Sequence, residues 1–566
     1  MWKSLPDQAS DFMEWRWSQI EPFFQELAER PIDGDSIGNW LADWTQLIDR
    51  LSETHARLSL AVNQDTTNTE AEARYNLYLD TIYPTSQAAN QRLKERILDS
   101  GLEPAGFEIP LRRMRAEAAI FRKENLPLLT EEHKLSSQYN KIIGAQTVTW
   151  EGEELTLQKL RSVYQRPDRS VREQAWRLAA TRQLADRETL NHLWSEFGSL
   201  RRKLAENAGA PDYRSYRWQQ MVRLDYTPED CLQFQKAIEQ VVVPAATRLY
   251  EGYRQRLGVD HLRPWDLDLD LHPHLPPLPP YGDIAQLGSK VEMIFQKLNP
   301  LLGDYYHIMR SEGLLDLDNR KGKAPGGSCT SFSVARRPFI FMNAIGLASD
   351  IRTLLHESGH AFHNFERLKL PYAQQRIPGL EFAEVASMSM ELLTFPYIAE
   401  EQGGFYPGAQ AKQFCRAHLE HVLTFWPYMA VVDAFQHWVY TNQDLAKETR
   451  RCDEKWLELW GRFLPGVDWS GLEDEAMTGW QRKQHIFRSP FYYVEYGLAQ
   501  LGAVQVWRNA LLDPEKALQN YRHALSLGGT VTLPELYQAA GAKLAFDADT
   551  LKQAVDLVES TIAALD

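Results

Sequence analysis

The stretch Leu354-Leu355-His356-Glu357-Ser358-Gly359-His360-Ala361-Phe362-His363 decides how this chain is read. Residues four apart share one face of a helix, so His356 and His360 can grip a single metal ion, with Glu357 beside it and free to move protons. The flanking residues support the helix. Ile351, Leu354, Leu355, Ser358, Phe362 and Phe365 recur at steps of three and four, Ser349 suits an N-cap, and Asp350 suits the first turn. The alternative is a buried helix with incidental polar residues, but two histidines and a glutamate buried together without a partner carry a heavy desolvation penalty. The pattern predicts a zinc site that activates water, and with it hydrolysis of a peptide bond.

A catalytic zinc takes three protein ligands and keeps one position open. The best source of the third is the segment Glu381-Phe382-Ala383-Glu384-Val385-Ala386-Ser387-Met388-Ser389-Met390-Glu391-Leu392, which reads as a helix ending ahead of Pro396. Glu384, Ser387, Met388 and Glu391 share a face of it. Glu384, Glu381 and Glu391 compete, and spacing does not choose among them. His363 sits too far round the first helix to displace the pair and reads as an exposed or otherwise satisfied histidine.

Two further segments carry chemistry. In Gln484-His485-Ile486-Phe487-Arg488-Ser489-Pro490-Phe491-Tyr492-Tyr493-Val494-Glu495-Tyr496, Ser489 can cap a helix and Pro490 suits its first position, which puts Tyr493 and Tyr496 on one face. Phenol and imidazole donors can stabilise the oxyanion of peptide hydrolysis; a helix packed by aromatics is the alternative. Upstream, Gly326-Gly327 precedes two expected strands, 329–334 and 339–342. Two glycines let a backbone bend or be approached closely, and an extended peptide can pair with a strand edge beside them. The pair is no phosphate loop, since it lacks the spaced glycines and the Lys-Ser/Thr ending.

His-Glu-Ser-Gly-His-Ala-Phe-His at 356–363, followed by Phe-Ala-Glu-Val-Ala-Ser at 382–387, resembles the thimet oligopeptidase and oligoendopeptidase F family of zinc metallopeptidases. The resemblance implies Glu384 as the third zinc ligand and one zinc ion per chain. Under it, Glu391 orients a ligand histidine, or else is a surface glutamate. It implies His485 and Tyr496 as substrate-facing donors with Tyr493 close behind; Tyr492 replaces Tyr493 if the helical phase is off by one. It assigns Gly326 and Gly327 to substrate binding. Leu262-Arg263-Pro264-Trp265-Asp266-Leu267 and Asn207-Ala208-Gly209-Ala210-Pro211-Asp212-Tyr213 also resemble the oligoendopeptidase F branch, so the likeness runs from about residue 200 onward and is firmest over 320–500.

The remaining sequence suits a large, mainly α enzyme with a small sheet beside the zinc site, and the resemblance implies a deep channel between helical lobes. The expected division is an N-terminal helical region, 1–200, and a catalytic region, 201–566. Apolar runs such as Phe12 to Leu27 space as amphipathic helices, with breaks near 31–35 and 101–104, and 146–153 suggests a hairpin on a Glu-Gly turn. The proline-rich stretch 272–280 reads as an extended loop rather than a metal site, despite His272 and His274. No apolar stretch has the length of a membrane span, and no secretory signal is seen. Cys231, Cys329, Cys415 and Cys452 show neither metal spacing nor a disulfide framework, which suits a reducing cytoplasm. A net charge of −14 argues against a nucleic-acid partner, and the basic run Leu200-Arg201-Arg202-Lys203 reads as a solvated helix face.

Together these features predict a zinc endopeptidase for short unstructured peptides, with Glu357 as general base. The alternatives are a zinc exopeptidase, with Arg488 a conceivable holder of the substrate carboxylate although a solvated arginine is the simpler reading, and a catalytically silent peptide-binding protein of the same fold. The oligomeric state is left open.

Overall fold

The eight-residue strand Arg337–Ala344 is almost wholly buried and forms the centre of a three-stranded sheet. Leu315–Asp318 pairs with it in parallel and Ser328–Phe332 pairs antiparallel on the other side, with Cys329 and Leu315 both opposite Ile340. Ser328–Phe332 is therefore an edge strand. Ser328–Phe332 and Arg337–Ala344 lie where the two runs after the glycine pair placed them, whereas Leu315–Asp318, ahead of that pair, was not expected. A computed structural model describes residue 2 and residues 5–268 and 278–565, of which the stretch expected as a proline-rich loop has 272–277 outside the described residues. Helices make up 71% of the chain, which is mainly α as expected.

The chain leaves the central strand directly into the helix Ala348–Arg367, which carries the two histidines and is called here the motif helix. Asp350 starts it. One carboxylate oxygen accepts the backbone N–H groups of Ile345, Gly346 and Leu347 at 2.7, 2.8 and 3.0 Å and the Tyr281 hydroxyl at 2.8 Å. Ser349 is thus inside the first turn instead of capping it: the amides before the helix are already occupied by a carboxylate, the stronger acceptor.

The motif helix crosses the helix Leu380–Leu393, the acidic helix, which in turn packs on Tyr493–Leu512, the tyrosine helix. The first crossing is close because of Gly359. A Cβ there would lie 2.5 Å from the Ser387 Cα and 2.6 Å from the Ala386 carbonyl oxygen. The 34-residue helix Gly408–Thr441, the long helix, runs alongside the tyrosine helix.

Apolar side chains gather in three clusters: one from Leu5 to Met114, a small one from Val148 to Ala179, and a large one from Ile120 to Val558 that surrounds the motif helix. The first meets the rest through polar contacts along the helix Ile37–Gln64. Thr45 accepts from the Ala373 N–H at 3.1 Å, Asp49 pairs with Arg376 at 3.0 Å, and Glu53 accepts from the Val334 and Ala335 N–H groups at 2.7 and 3.0 Å.

The expected hairpin is present as Thr147–Trp150 and Glu153–Thr156, turning at Glu151 and Gly152, both with positive φ. One basic run departs from expectation. Arg201 is fully buried, not solvated, and pairs with Glu132 at 2.8 Å, so the amphipathic helix carries it on its inner face. All four cysteines are free thiols. Among the described residues no helix is long and apolar enough to cross a membrane.

Candidate metal centre and active site

His356 and His360 project from one face of the motif helix with ring centroids 5.0 Å apart. The acidic helix brings Glu384 up to them: its Oε2 lies 3.3 Å from the Nε2 of each ring. One ligand atom from each of the three residues falls within 4.8 Å of the others, so the three can hold a metal ion. Of the three competing glutamates, geometry brings only Glu384 to this point. Glu381 faces away, where it accepts from the Tyr226 hydroxyl and lies 3.5 Å from Arg223.

Glu391, about two turns past Glu384 on the same helix, sits behind the histidines. Its Oε1 accepts from His356 Nδ1 at 2.7 Å, and its other oxygen lies 3.5 Å from His418 Nε2. A proton fixed on Nδ1 leaves the Nε2 lone pair of His356 facing Glu384, the tautomer a metal ligand requires. Glu384 is held just as firmly, by Ser387 Oγ on Oε2 at 3.0 Å and by the Tyr492 hydroxyl on Oε1 at 2.6 Å. Burial works against ionising Glu384, yet His360 and His356 hold its carboxyl well below the usual range. Two imidazole nitrogens and one carboxylate oxygen, each fixed from behind, are a donor set that fits a divalent metal.

Glu357 is 5% exposed and its Oε2 has no hydrogen-bond partner among the described residues. Burial pushes its carboxyl upward, against the pull of His356 and His360. Gly327 lies directly over it: a Cβ there would stand 3.0 Å from Glu357 Oε1. Its neighbour Gly326 has φ +95°, which strongly favours glycine, and a Cβ on it would meet Gln484 Nε2 at 3.1 Å. The loop holding both glycines is tied down by Asn343 Nδ2, which donates to the carbonyls of Ala324 and Gly326 at 2.9 Å each. The edge strand Ser328–Phe332 thus begins one residue past Gly327, the glycine that lies over the buried Glu357 carboxyl.

The donor segment folds differently from expectation. A short helix, Gln484–Arg488, carries His485, and the tyrosine helix begins only at Tyr493, so Ser489 and Pro490 lie in the intervening turn instead of opening a helix. Phe491 causes the delay. Its φ is +64°, and its N–H donates to Gln436 Oε1 at 2.7 Å. This turn sends Tyr492 back onto Glu384, while Tyr493 and Tyr496 line a cavity with His485. His485 Nε2 lies 3.3 Å from the Tyr496 hydroxyl, its Nδ1 has no partner, and burial holds the imidazole neutral by driving its pKa well below the usual value.

Two other expectations change. His363 is neither exposed nor satisfied: it is 3% exposed against Phe382, and its Nε2 has no partner. Arg488 is half-buried and donates to Gln484 at 3.3 Å.

The cavity beside the histidines holds about 260 Å³ and is walled by Arg352, His356, Lys483, His485, Tyr493 and Tyr496, among others. A second, of about 300 Å³, shares Arg352 and His421 with it. A third, of about 380 Å³, reaches Gly326. Sequence reasoning missed Arg352, Lys483, His418 and His421. Arg352 was findable, since it precedes His356 by the same four residues that separate His356 from His360. His418 and His421 come from the long helix, and nothing in the sequence points them at the site.

Comparison with known proteins bears on this geometry. The solved structure "PZ peptidase A with inhibitor 2" superposes with a TM-score of 0.92 at 26% identity, covering 100% of both chains. Among sequences, the Oligoendopeptidase F homolog of Mycoplasma pneumoniae is 22% identical over 324 residues, covering 52% of this chain and 51% of that protein. The homolog of Mycoplasma genitalium is 24% identical over 345 residues, covering 57% and 53%. The chain spans about half the length of the curated relatives it matches. The model of Peptidase family M3 matches residues 162–556, a stretch that holds every residue of the site just described, and the chain is a member of that family.

Proposed function

We propose that this protein is a zinc-dependent oligoendopeptidase that hydrolyses internal bonds of short, unstructured peptides. The observation that carries the reading is the buried Glu357 carboxylate, with one oxygen unpartnered, set beside three convergent metal-ligand atoms. His356, His360 and Glu384 would hold the ion. When bound, zinc supplies a Lewis acid and brings the pKa of a water toward neutrality.

The chain's own groups do the rest. The free edge of Ser328–Phe332 pairs with an extended peptide through main-chain hydrogen bonds, which bind it whatever its side chains. Gly327 leaves the substrate backbone room to lie over Glu357. Glu357 Oε2 removes a proton from the attacking water and gives it to the leaving nitrogen as the C–N bond breaks, so it ends the cycle ionised as it began. The Tyr496 hydroxyl and the neutral His485 donate to the carbonyl oxygen as it gains negative charge. Tyr493 is 5% exposed and serves chiefly as cavity wall. Tyr492 and Glu391 act on the ligands, keeping Glu384 and His356 oriented. Interior cavities of a few hundred cubic ångströms admit an extended chain and exclude a folded domain.

The test is cleavage of an internally quenched peptide blocked at both ends. Metal-dependent internal cleavage, lost in Glu357→Gln, is the expected result. Cleavage that survives Glu357→Gln would remove the proposed base, and trimming of unblocked peptides alone would make the protein an exopeptidase.

A further inference from the structure

Two cations line the cavity beside the metal-ligand cluster without a carboxylate of their own. Arg352 stands one turn before His356 on the motif helix, and Lys483 precedes His485 by two residues. Neither makes a hydrogen bond or ion pair among the described residues. Lys483 Nζ instead lies 3.9 Å from the centre of the Tyr493 ring and 5.2 Å from that of Tyr428. Buried Arg201, Arg223 and Lys323 are each paired with a carboxylate, and half-buried cations without one, such as Arg482 and Arg488, donate hydrogen bonds to nearby oxygens; among the described residues Arg352 and Lys483 do neither.

The anion nearest to hand is already engaged. Glu391 attracts Arg352, but its oxygens face His356 at 2.7 Å and His418 at 3.5 Å. His418, His421 and His485 offer no counter-ion, since an imidazole is never anionic here, and burial keeps all three from adding positive charge, helped by Arg352 at the first two and by Lys483 at the last two. Burial also draws the Lys483 ammonium down to about 7. A guanidinium and an ammonium removed from water without a counter-ion carry a desolvation penalty that an arriving anion relieves. A peptide offers one kind of anion, the carboxylate, and a guanidinium fork beside an ammonium suits it: the first binds it by two N–H groups, the second as a point charge.

We propose that Arg352 and Lys483 form a carboxylate-binding subsite that anchors the substrate beside the metal, so that the protein selects peptides with a carboxylate a fixed distance from the cleaved bond. The inference rests on the peptidase reading above and deepens it. The carboxylate comes from the C-terminus of a short peptide or from an Asp or Glu side chain within a longer one.

The zinc-loaded full chain carrying Glu357→Gln, which is expected to bind without turnover, separates the sources. Three fluorescently labelled peptides of one sequence are titrated by anisotropy: the free acid, its carboxamide, and a carboxamide series with Glu placed at successive positions. A free acid about tenfold tighter than the amide identifies the C-terminus, and the same gain for one Glu-containing amide identifies a side chain. In either case the preference should shrink to near unity in Lys483→Met and in Arg352→Met, two changes on different elements, so that poor folding of one leaves the other to decide. A merely structural role would weaken all three peptides alike and leave the ratio untouched. Equal affinity for every peptide, or a preference that survives both variants, would overturn the subsite. Binding without cleavage by the unmodified zinc protein would instead overturn the peptidase reading and leave the subsite standing.

Discussion

Gly359 shows how tightly single residues govern the centre. It sits between His356 and His360, the proposed metal ligands, where the motif helix meets the backbone of the acidic helix at Ala386 and Ser387. Glycine in a helix interior is intrinsically unfavourable, by about 1 kcal/mol against alanine. Here the relation is reversed, because a methyl group would strike main-chain atoms that cannot rotate aside. Gly359→Ala is expected to destabilise by about 3 kcal/mol and, by moving Glu384 away from the histidines, to reduce bound metal; urea denaturation and metal analysis of the same sample check both, and an undisturbed metal content would mean that the crossing has slack. Glu391 works at longer reach. Its replacement by alanine frees the His356 ring to rotate and to protonate Nε2, so metal affinity should fall by about 10- to 100-fold, with Glu391→Gln falling less because its carbonyl oxygen still accepts from Nδ1; competition against a chromophoric chelator measures both. At this scale the sequence was legible where chemistry and helical period coincide, at His356, Glu357 and His360. It was silent where three glutamates fall in one helix, since Glu381 and Glu384 differ by less than one turn yet one binds Arg223 and Tyr226 while the other meets the histidines.

Elements were legible in proportion to how far local pattern decides them. Alternation and apolar content located the strands after the glycines, and the 3.6-residue period located the motif and acidic helices. Boundaries failed where a distant side chain fixes the backbone: Asp350 starts the motif helix before Ser349, and Gln436, from the long helix, holds Phe491 in a conformation that delays the tyrosine helix. The loop 322–327 is another such case. Lys323 is buried within it and donates to Asp316 Oδ1 at 2.9 Å and to the carbonyls of Asp318 and Met342. Burial alone would raise the Asp316 carboxyl, but hydrogen bonds from Arg320, Lys323 and Gln64 hold it well below the usual carboxylate range. A carboxyl whose folded pKa is depressed contributes stability above its unfolded value, near 4, and loses it as pH falls toward the folded value. Asp316→Asn should therefore destabilise by about 2 kcal/mol at neutral pH, and the gap from the unmodified protein should narrow progressively below about pH 4. Denaturant titrations of the two proteins at matched pH test the sign: a gap that widens on acidification would show that the carboxyl is not held ionised.

For the whole molecule, the decisive feature is that the proposed metal ligands lie in one apolar core and not in the other. His356, His360 and Glu384 come from helices packed within the large cluster, whereas the cluster from Leu5 to Met114 contributes no ligand and meets the centre through the helix Ile37–Gln64. That helix touches the sheet and the segment after the motif helix largely by hydrogen bonds and ion pairs, Thr45 with Ala373, Asp49 with Arg376 and Glu53 with Val334 and Ala335, while Tyr372 is the apolar side chain that packs from that segment onto the first cluster. Polar junctions of this kind transmit less cooperativity than packed cores, because each contact can be exchanged for water. If His356, His360 and Glu384 hold zinc as proposed, removing it takes away a cross-link between the motif and acidic helices and leaves only the direct contacts of Glu384 with the two histidines. Amide exchange followed by mass spectrometry on holo and chelated protein should then show faster exchange over 348–367 and 380–393, reversed when zinc is restored, with little change over 17–29. Exchange that rises equally in all three segments would mean that the two cores unfold as one unit and that the polar junction along Ile37–Gln64 couples them as strongly as shared packing would.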